Sequence, residues 1–352
     1  MNFNKPMMKP MLIPFINEEH TGIRIGGFQA RIARDIIVSN PQEFLGFLKD
    51  LNGENTLDIL QQKYNLNSLQ MNNLLQKLKE CGAIYENNSK NFSEKEIRLY
   101  NRNINFFAWI DIVGKYYNYW DVQETLKKSK VLLLGAGGTG SNTALNLARL
   151  GFGTITIIDG DNVEESNLNR QTYSQADIGL SKVQVLKKHL ESINPMIKIV
   201  QKKCWIDTLN DLTKLGSNFD ILLDCIDKPE NLPTILDKYC KETGTPWVLG
   251  GYASTVINHA IFDGSTVGFD ELVKRDREKY LASREIFKNT FWKWDNAIIS
   301  PIANISGSIS SLYALYYVTS LKKLKMGIVQ HIDFFNLQNL AYFSYILGDS
   351  QK

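Results

Sequence analysis

The chain has little cysteine, no block of like charge and no long apolar run. Its four cysteines, Cys81, Cys204, Cys225 and Cys240, are scattered through 352 residues without a C-x-x-C pair. That spacing argues against a disulfide framework and against a cysteine-built zinc site. No uncharged stretch reaches the roughly 18 apolar residues of a membrane span. The most apolar late stretch, 309–321, contains Ser310, Ser311, Thr319 and Ser320 and runs into Lys322 and Lys323, so it reads as a buried helix. Forty lysines and arginines against 37 acids leave a formal charge of +3, which supplies no chain-wide field for nucleic acid. Residues 1–14 are interrupted by Pro6, Pro10 and Pro14, with no cleavage-site pattern following. Internal repeats and low-complexity tracts are absent too. The expectation is a reduced, cytoplasmic, globular protein of about two domains.

The first 90 residues have their own grammar. Ile23 and Ile25, the pair Gly26-Gly27, then Phe28, Ala30 and Ile32 alternating with Gln29 and Arg31 predict a short hairpin. Asn40-Pro41 opens a helix with Phe44, Leu45, Leu48 and Leu51 on its apolar face, closed by Gly53. Thr56 opens a second helix. Ser68 opens a third, with Met71, Leu74, Leu75 and Leu78 at helical spacing and Gly82 as its stop. With a returning strand at 83–85, residues 1–90 make a small winged-helix-like α+β domain, and the polar stretch 86–91 reads as a linker. The third helix has only Lys77 and Lys79 as cations, opposed by Glu80, which argues against DNA reading.

From about Lys130 apolar strands alternate with helices, the pattern of a parallel sheet covered on both faces. Strands are expected at 131–134, 154–158, 197–200 and 221–225, with helices through Leu150 and over 182–193. After Trp247 the pattern turns more strand-like, with one helix expected at 302–324. Gly135-Ala136-Gly137-Gly138-Thr139-Gly140 fits G-x-G-x-x-G between a strand and a helix, where glycines admit phosphate oxygens to backbone amides. Asp159 ends the next strand, where an acid can hold ribose hydroxyls. These residues predict a nucleotide site and leave NAD and ATP both open. Arg170 and Lys182 follow shortly after, and two phosphate-facing cations suit nucleotidyl transfer better than hydride transfer. Asp227, beyond a strand end with Asp224, is placed to hold Mg²⁺. Singly, each has a bland reading: Arg170 in a surface ion pair, Lys182 solvated on its helix, Asp227 as a helix cap.

The ordered runs G-A-G-G-T-G, D-G-D, S-N-L-N-R-Q, G-L-S-K and D-C-I-D resemble the ThiF/MoeB/E1-like family of ATP-dependent adenylating enzymes. Upstream, Tyr100-Asn101-Arg102-Asn103-Ile104 is similar to that family's opening motif. The resemblance spans roughly 96–262. It implies a Rossmann-like domain with a mixed sheet over 91–352, and ATP bound at Gly135, Gly137, Gly138, Gly140, Asp159, Asp161 and Gln171. It implies that Asn167, Arg170 and Lys182 contact the triphosphate, that Asp227 holds Mg²⁺, and that Arg102 acts across a homodimer. The implied chemistry is attack of a carboxylate on the α-phosphate, giving an acyl adenylate and pyrophosphate. The family's zinc cysteines and thioester cysteine have no counterparts, so neither zinc nor a thioester relay is expected. Cys225 reads as a buried strand residue, Cys240 as a helix residue, and His259 and His331 as core or rim histidines.

The N-terminal domain resembles the PqqD-like leader-recognition element of enzymes that modify ribosomally made peptides. Together the two domains resemble microcin C-type and pantocin-type peptide-modifying enzymes. The expected partner is a precursor peptide, captured beside the hairpin or in the adjoining groove. The expected fate is antibiotic or bacteriocin biosynthesis. Three rivals stand beside this reading: a sulfur-carrier adenylyltransferase, a non-catalytic leader-delivery scaffold and an NAD-dependent dehydrogenase. The segment 270–293, rich in both charge signs, is a candidate lid.

Overall fold

A computed structural model describes residues 3–27, 33–266, 268–271 and 297–346, with backbone alone at 343–346. The chain forms two compact units, Met1–Thr125 and Leu126–Lys352.

The first unit runs β1 (Pro6–Met8), β2 (Phe15–Ile16), β3 (Gly22–Ile25), β4 (Arg34–Ile37), α1 (Pro41–Asp50), α2 (Leu57–Lys63), α3 (Ser68–Glu80), β5 (Ile84–Glu86) and α4 (Glu94–Ile110), with the boundary falling inside α5 (Tyr119–Lys128). The three helices start where their caps predict: Asn40 and Asn67 accept from the amides of Glu43 and Gln70. Ile23, Phe47, Leu60, Met71, Leu75 and Leu78 meet in one core. Two readings need correction. The hairpin's second strand is β4, with Ile23 opposite Ile36 and Ile25 opposite Arg34, because this register pairs two β-branched side chains. The expected 28–32 strand lies outside the described residues. The proline-broken N-terminus contributes β1, which pairs antiparallel with β5. Glu86, expected in the linker, is buried in β5 because its carboxylate accepts from the amides of Asn4 and Lys5. Lys79 is also buried and donates to the Gly114 carbonyl, so it is not on a DNA-facing surface.

The second unit contains β6 (Lys130–Leu134), α6 (Gly138–Leu150), β7 (Thr154–Ile158), α7 (Lys182–Ile193), β8 (Lys198–Lys202), α8 (Leu209–Thr213), β9 (Ile221–Asp224), α9 (Leu232–Thr243), β10 (Trp247–Ala253), β11 (Val256–Phe262), α10 (Ser300–Thr319), β12 (Ile328–Asp333) and β13 (Ala341–Ile346). Its eight-stranded sheet has the order β13-β12-β11-β10-β9-β6-β7-β8. The pairs from β8 to β10 are parallel and those from β10 to β13 antiparallel. Val131 to Leu134 are buried on both faces, as a central parallel strand requires. The chain leaves β6 toward β7 on one side and later returns to β9 on the other. That reversal creates a crevice at the carboxyl ends of β6 and β9.

Helix α10 packs closely on α6 through small residues. A Cβ on Gly307 would stand 2.8 Å from the Thr139 carbonyl oxygen, and Thr139 and Ser306 hydroxyls lie 3.0 Å apart. This helix ends at Thr319 and not at the expected Leu324, because Ser320 adopts a left-handed conformation with φ 53°. Among the described residues no helix is long and apolar enough to cross a membrane. From residue 272 onward the candidate lid lies outside the described residues.

Candidate active site

The glycine loop connects β6 to α6 at the crevice. Gly135 has φ 93°, which L side chains rarely adopt, and Cys225 and Ile226 crowd the position where its Cβ would stand. A Cβ on Gly140 would collide with the Gly135 carbonyl. Gly137 differs, since a Cβ there would meet nothing within 4 Å. It is the N-cap of α6 and supplies no side-chain cap, so the first-turn amides face an open approach. The Tyr252 ring lies over Gly138, within 3.3 Å of where its Cβ would be.

Asp159, just beyond β7, is 8% exposed. Its Oδ2 accepts from the Ala136 amide at 2.7 Å and its Oδ1 from the Asp161 amide at 2.8 Å. The acid expected to hold ribose thus also braces the glycine loop against the next turn. Burial raises its pKa, opposed by those two amides and by Lys182. Tyr173, which sequence reasoning passed over, donates to the Ala136 carbonyl at 2.7 Å from the opposite side. Its partner is 37 residues away, so no local signal marks it.

The expected cations occupy none of their bland placements. Lys182 begins α7 with its side chain only 7% exposed and its Nζ 2.8 Å from Asp161 Oδ2. Among the described residues Arg170 makes no ion pair; its guanidinium donates to the Ser166 carbonyl and Asn169 Oδ1, both at 2.8 Å. Among the described residues its buried Nε has no partner, and neither do the buried Gln171 Oε1, Thr172 Oγ1 and Ser181 Oγ. Unsatisfied buried groups concentrated in 170–181 fit a polar ligand. Asn142 ties this segment to α6, donating to the carbonyls of Gly138 at 2.8 Å and Arg170 at 3.4 Å. Asn167 is buried and accepts from the Glu164 amide.

Asp224 ends β9 opposite Leu134, and Asp227 follows as an exposed carboxylate that caps no helix; the N-cap of α9 is Asn231. Burial, with Asp227 beside it, pushes the Asp224 carboxyl up to about 7. Among the described residues no three His, Cys, Asp or Glu side chains form a metal cluster. A single carboxylate still suits Mg²⁺, which is commonly bound through one or two carboxylates plus substrate phosphates. Arg102 is exposed on α4 in the first unit.

Residues 100–345 match the ThiF family. The molybdopterin-synthase adenylyltransferase of Haemophilus influenzae is 32% identical over 247 residues, covering 69% of this chain and 93% of that protein. The chain belongs to the ThiF family. It is an ATP-dependent, E1-like adenylyltransferase, which removes the dehydrogenase and scaffold alternatives. A second relative, the adenylyltransferase and sulfurtransferase MOCS3 of Aedes aegypti, is 33% identical over 205 residues, 57% of this chain and 44% of that one. The chain therefore spans less than half of that longer relative. In fold it matches Escherichia coli MccB crystallised with succinimide, at TM-score 0.74 and 22% identity, covering 98% of this chain and 97% of MccB. The crystal structure of PaaA matches at TM-score 0.66 and 28% identity over 78% of this chain and 90% of PaaA.

Two of the cysteines, Cys225 and Cys240, are placed as inert residues. Cys225 lies one residue past β9, not within the strand, because pairing with β6 ends at Asp224; its thiol packs against Thr143, and burial pushes its pKa well up. Cys240 is buried on α9 with its thiol pushed up to about 11. Neither is a ready thiolate. His259 is a core histidine, 2% exposed, bonded to the Ser306 carbonyl.

Proposed function

We propose that this ThiF-family enzyme adenylates a carboxylate of a ribosomally made precursor peptide in antibiotic or bacteriocin biosynthesis. One observation carries the reading. Residues ahead of 100 lie outside the family match, yet the fold likeness to MccB extends over 98% of the chain. MccB has been crystallised with AMPCPP and MccA. In the first unit, β4 is an edge strand among the described residues, and a groove beside it is lined by Val38, Phe44, Phe47, Tyr64, Leu66 and Leu74 together with the polar Ser39, Asn40 and Glu43. An edge beside a mainly apolar groove suits a peptide added as a strand.

In this reading the glycine loop and α6 amides hold phosphate oxygens, and Asp159 holds the ribose. Lys182 and Arg170 neutralise charge as a carboxylate oxygen bonds to the α-phosphorus and the bond to the β-phosphate breaks. Pyrophosphate leaves, and no proton transfer is needed. Mg²⁺ on Asp227 would supply further neutralisation of the phosphates. Arg102 would act across a homodimer, and the enzyme would work in the cytoplasm. Domain roles divide near residue 90, with peptide capture before it and nucleotide chemistry after.

A sulfur-carrier adenylyltransferase is the second reading, favoured by the 32% identity to the Haemophilus enzyme. The test supplies ATP with either candidate precursor peptides or a small carrier protein ending in Gly-Gly. Pyrophosphate release and a mass shift on the peptide alone support the first reading. Release with the carrier alone establishes the second.

A further inference from the structure

Tyr252, the penultimate residue of β10, packs against the buried cluster of Ile257, Ile298 and Ile302. Its hydroxyl reaches the glycine loop. A Cβ on Gly138 would stand 2.5 Å from the Tyr252 hydroxyl oxygen, so glycine at 138 is what admits it. Ser306 on α10 holds the two elements in register. Its hydroxyl lies 3.0 Å from Thr139 Oγ1 in the first turn of α6 and donates to the Gly251 carbonyl at 3.2 Å. Gly250 lets α10 come this close, because a Cβ there would collide with the Ser310 hydroxyl. The Tyr252 side chain is therefore placed, not loose. It is half-buried, and among the described residues its hydroxyl has no hydrogen-bond partner. Tyr173 differs, since its hydroxyl is already engaged by the Ala136 carbonyl.

Strand order says what the hydroxyl meets. Along the carboxyl ends of the sheet, β7 leads to Asp159, β6 to the glycine loop, β9 to Asp224 and Asp227, and β10 to Tyr252. With phosphates at the glycine loop and the ribose toward Asp159, an attacking carboxylate needs an approach that the ribose does not fill. Strands β9 and β10 end on that side. Asp227 is exposed there and repels an incoming carboxylate, so the approach needs fixed donors. Besides the first-turn amides of α6, Tyr252 supplies one, on a ring held by packing. We infer that Tyr252 receives the substrate carboxylate of this adenylyltransferase. Its hydroxyl donates to the oxygen that does not attack. The other oxygen bonds to the α-phosphorus as the bond to the β-phosphate breaks and pyrophosphate leaves. The tyrosine keeps its proton throughout. This rests on the reading that the nucleotide lies along the glycine loop and Asp159.

The full-length protein and its Tyr252→Phe variant, which keeps the ring and its packing, are titrated calorimetrically with three ligands. They are ATP, 5′-O-sulfamoyladenosine and 5′-O-(N-acetylsulfamoyl)adenosine, whose acyl group stands in for the activated carboxyl. Tyr252→Phe should weaken the acetylated compound about tenfold and leave the other two unchanged. Unchanged affinity for the acetylated compound in the variant overturns the inference. Equal weakening of all three ligands also overturns it, because the hydroxyl would then serve the nucleotide or the fold. A wild-type protein that gains no affinity from the acetyl group overturns it too. If wild-type protein binds none of the three, the nucleotide placement itself fails and this inference falls with it.

Discussion

Lys182 Nζ lies 2.8 Å from Asp161 Oδ2, with the lysine side chain 7% exposed and the aspartate 48% exposed. The proposed phosphate-facing cation is therefore held at the wall of the crevice by an acid reaching in from solvent. Removing the lysine leaves Asp161 free to hydrate, so the fold should survive. Lys182→Ala is expected to lower ATP–pyrophosphate exchange by about a hundredfold or more. Its melting temperature should move by only a few degrees. Unchanged exchange would remove Lys182 from the site.

The glycine loop separates structural from ligand-facing glycines. Gly140→Ala drives a methyl into the Gly135 carbonyl and should destabilise by about 1–3 kcal/mol, read from denaturant melts. Gly137→Ala adds a methyl into open space and should cost about 1 kcal/mol or less as a poorer N-cap. ATP titration should nonetheless show weakened binding in Gly137→Ala. If it binds ATP normally, the phosphates do not approach there.

Histidine chemistry predicts an acid limit. His259 is buried, donates from Nε2 to the Ser306 carbonyl, stacks on Tyr313 and has His331 nearby; burial lowers its pKa to about 4. Below the ordinary histidine range the unfolded chain takes a proton that the folded chain refuses. Its contribution is full above pH 6.5 and is lost as pH falls toward 4, at most about 3 kcal/mol. His259→Gln should flatten urea stability across that interval. An equally steep loss in the variant would assign the acid sensitivity elsewhere.

The groove beside β4 gives a test confined to peptide capture. Leu74 lines it from α3 and is only partly buried, so Leu74→Glu places a charge where an apolar anchor would dock. The expected result is at least a tenfold rise in KM for the peptide, with ATP affinity unchanged. Equal KM values would move the docking surface off this groove.

Several parts of this architecture are legible without coordinates. Leu132 to Leu134 and Ile155 to Ile158 read as buried strands because parallel strands covered on both faces need continuous apolar runs. Helices α1 and α3 follow from helical spacing and their caps. The glycine loop, Asp159 and Lys182 stand out because phosphate approach imposes residue types at set positions along one strand–turn–helix unit. The position of β4 was not legible, since pairing with β3 depends on a register chosen by Ile36 and not by the Gly26-Gly27 turn.

The sequence by itself determined the alternation of strands and helices, the nucleotide-binding loop and the acids and cations that follow it. These are short-range properties, set by hydrophobic period and backbone freedom. Only the tertiary structure decided that Asp159 braces the loop through Ala136, that Tyr173 closes on the same residue, and that Lys182 is buried against Asp161. Those contacts join residues 21 to 37 positions apart in the chain, and only the sheet's strand order brings them together.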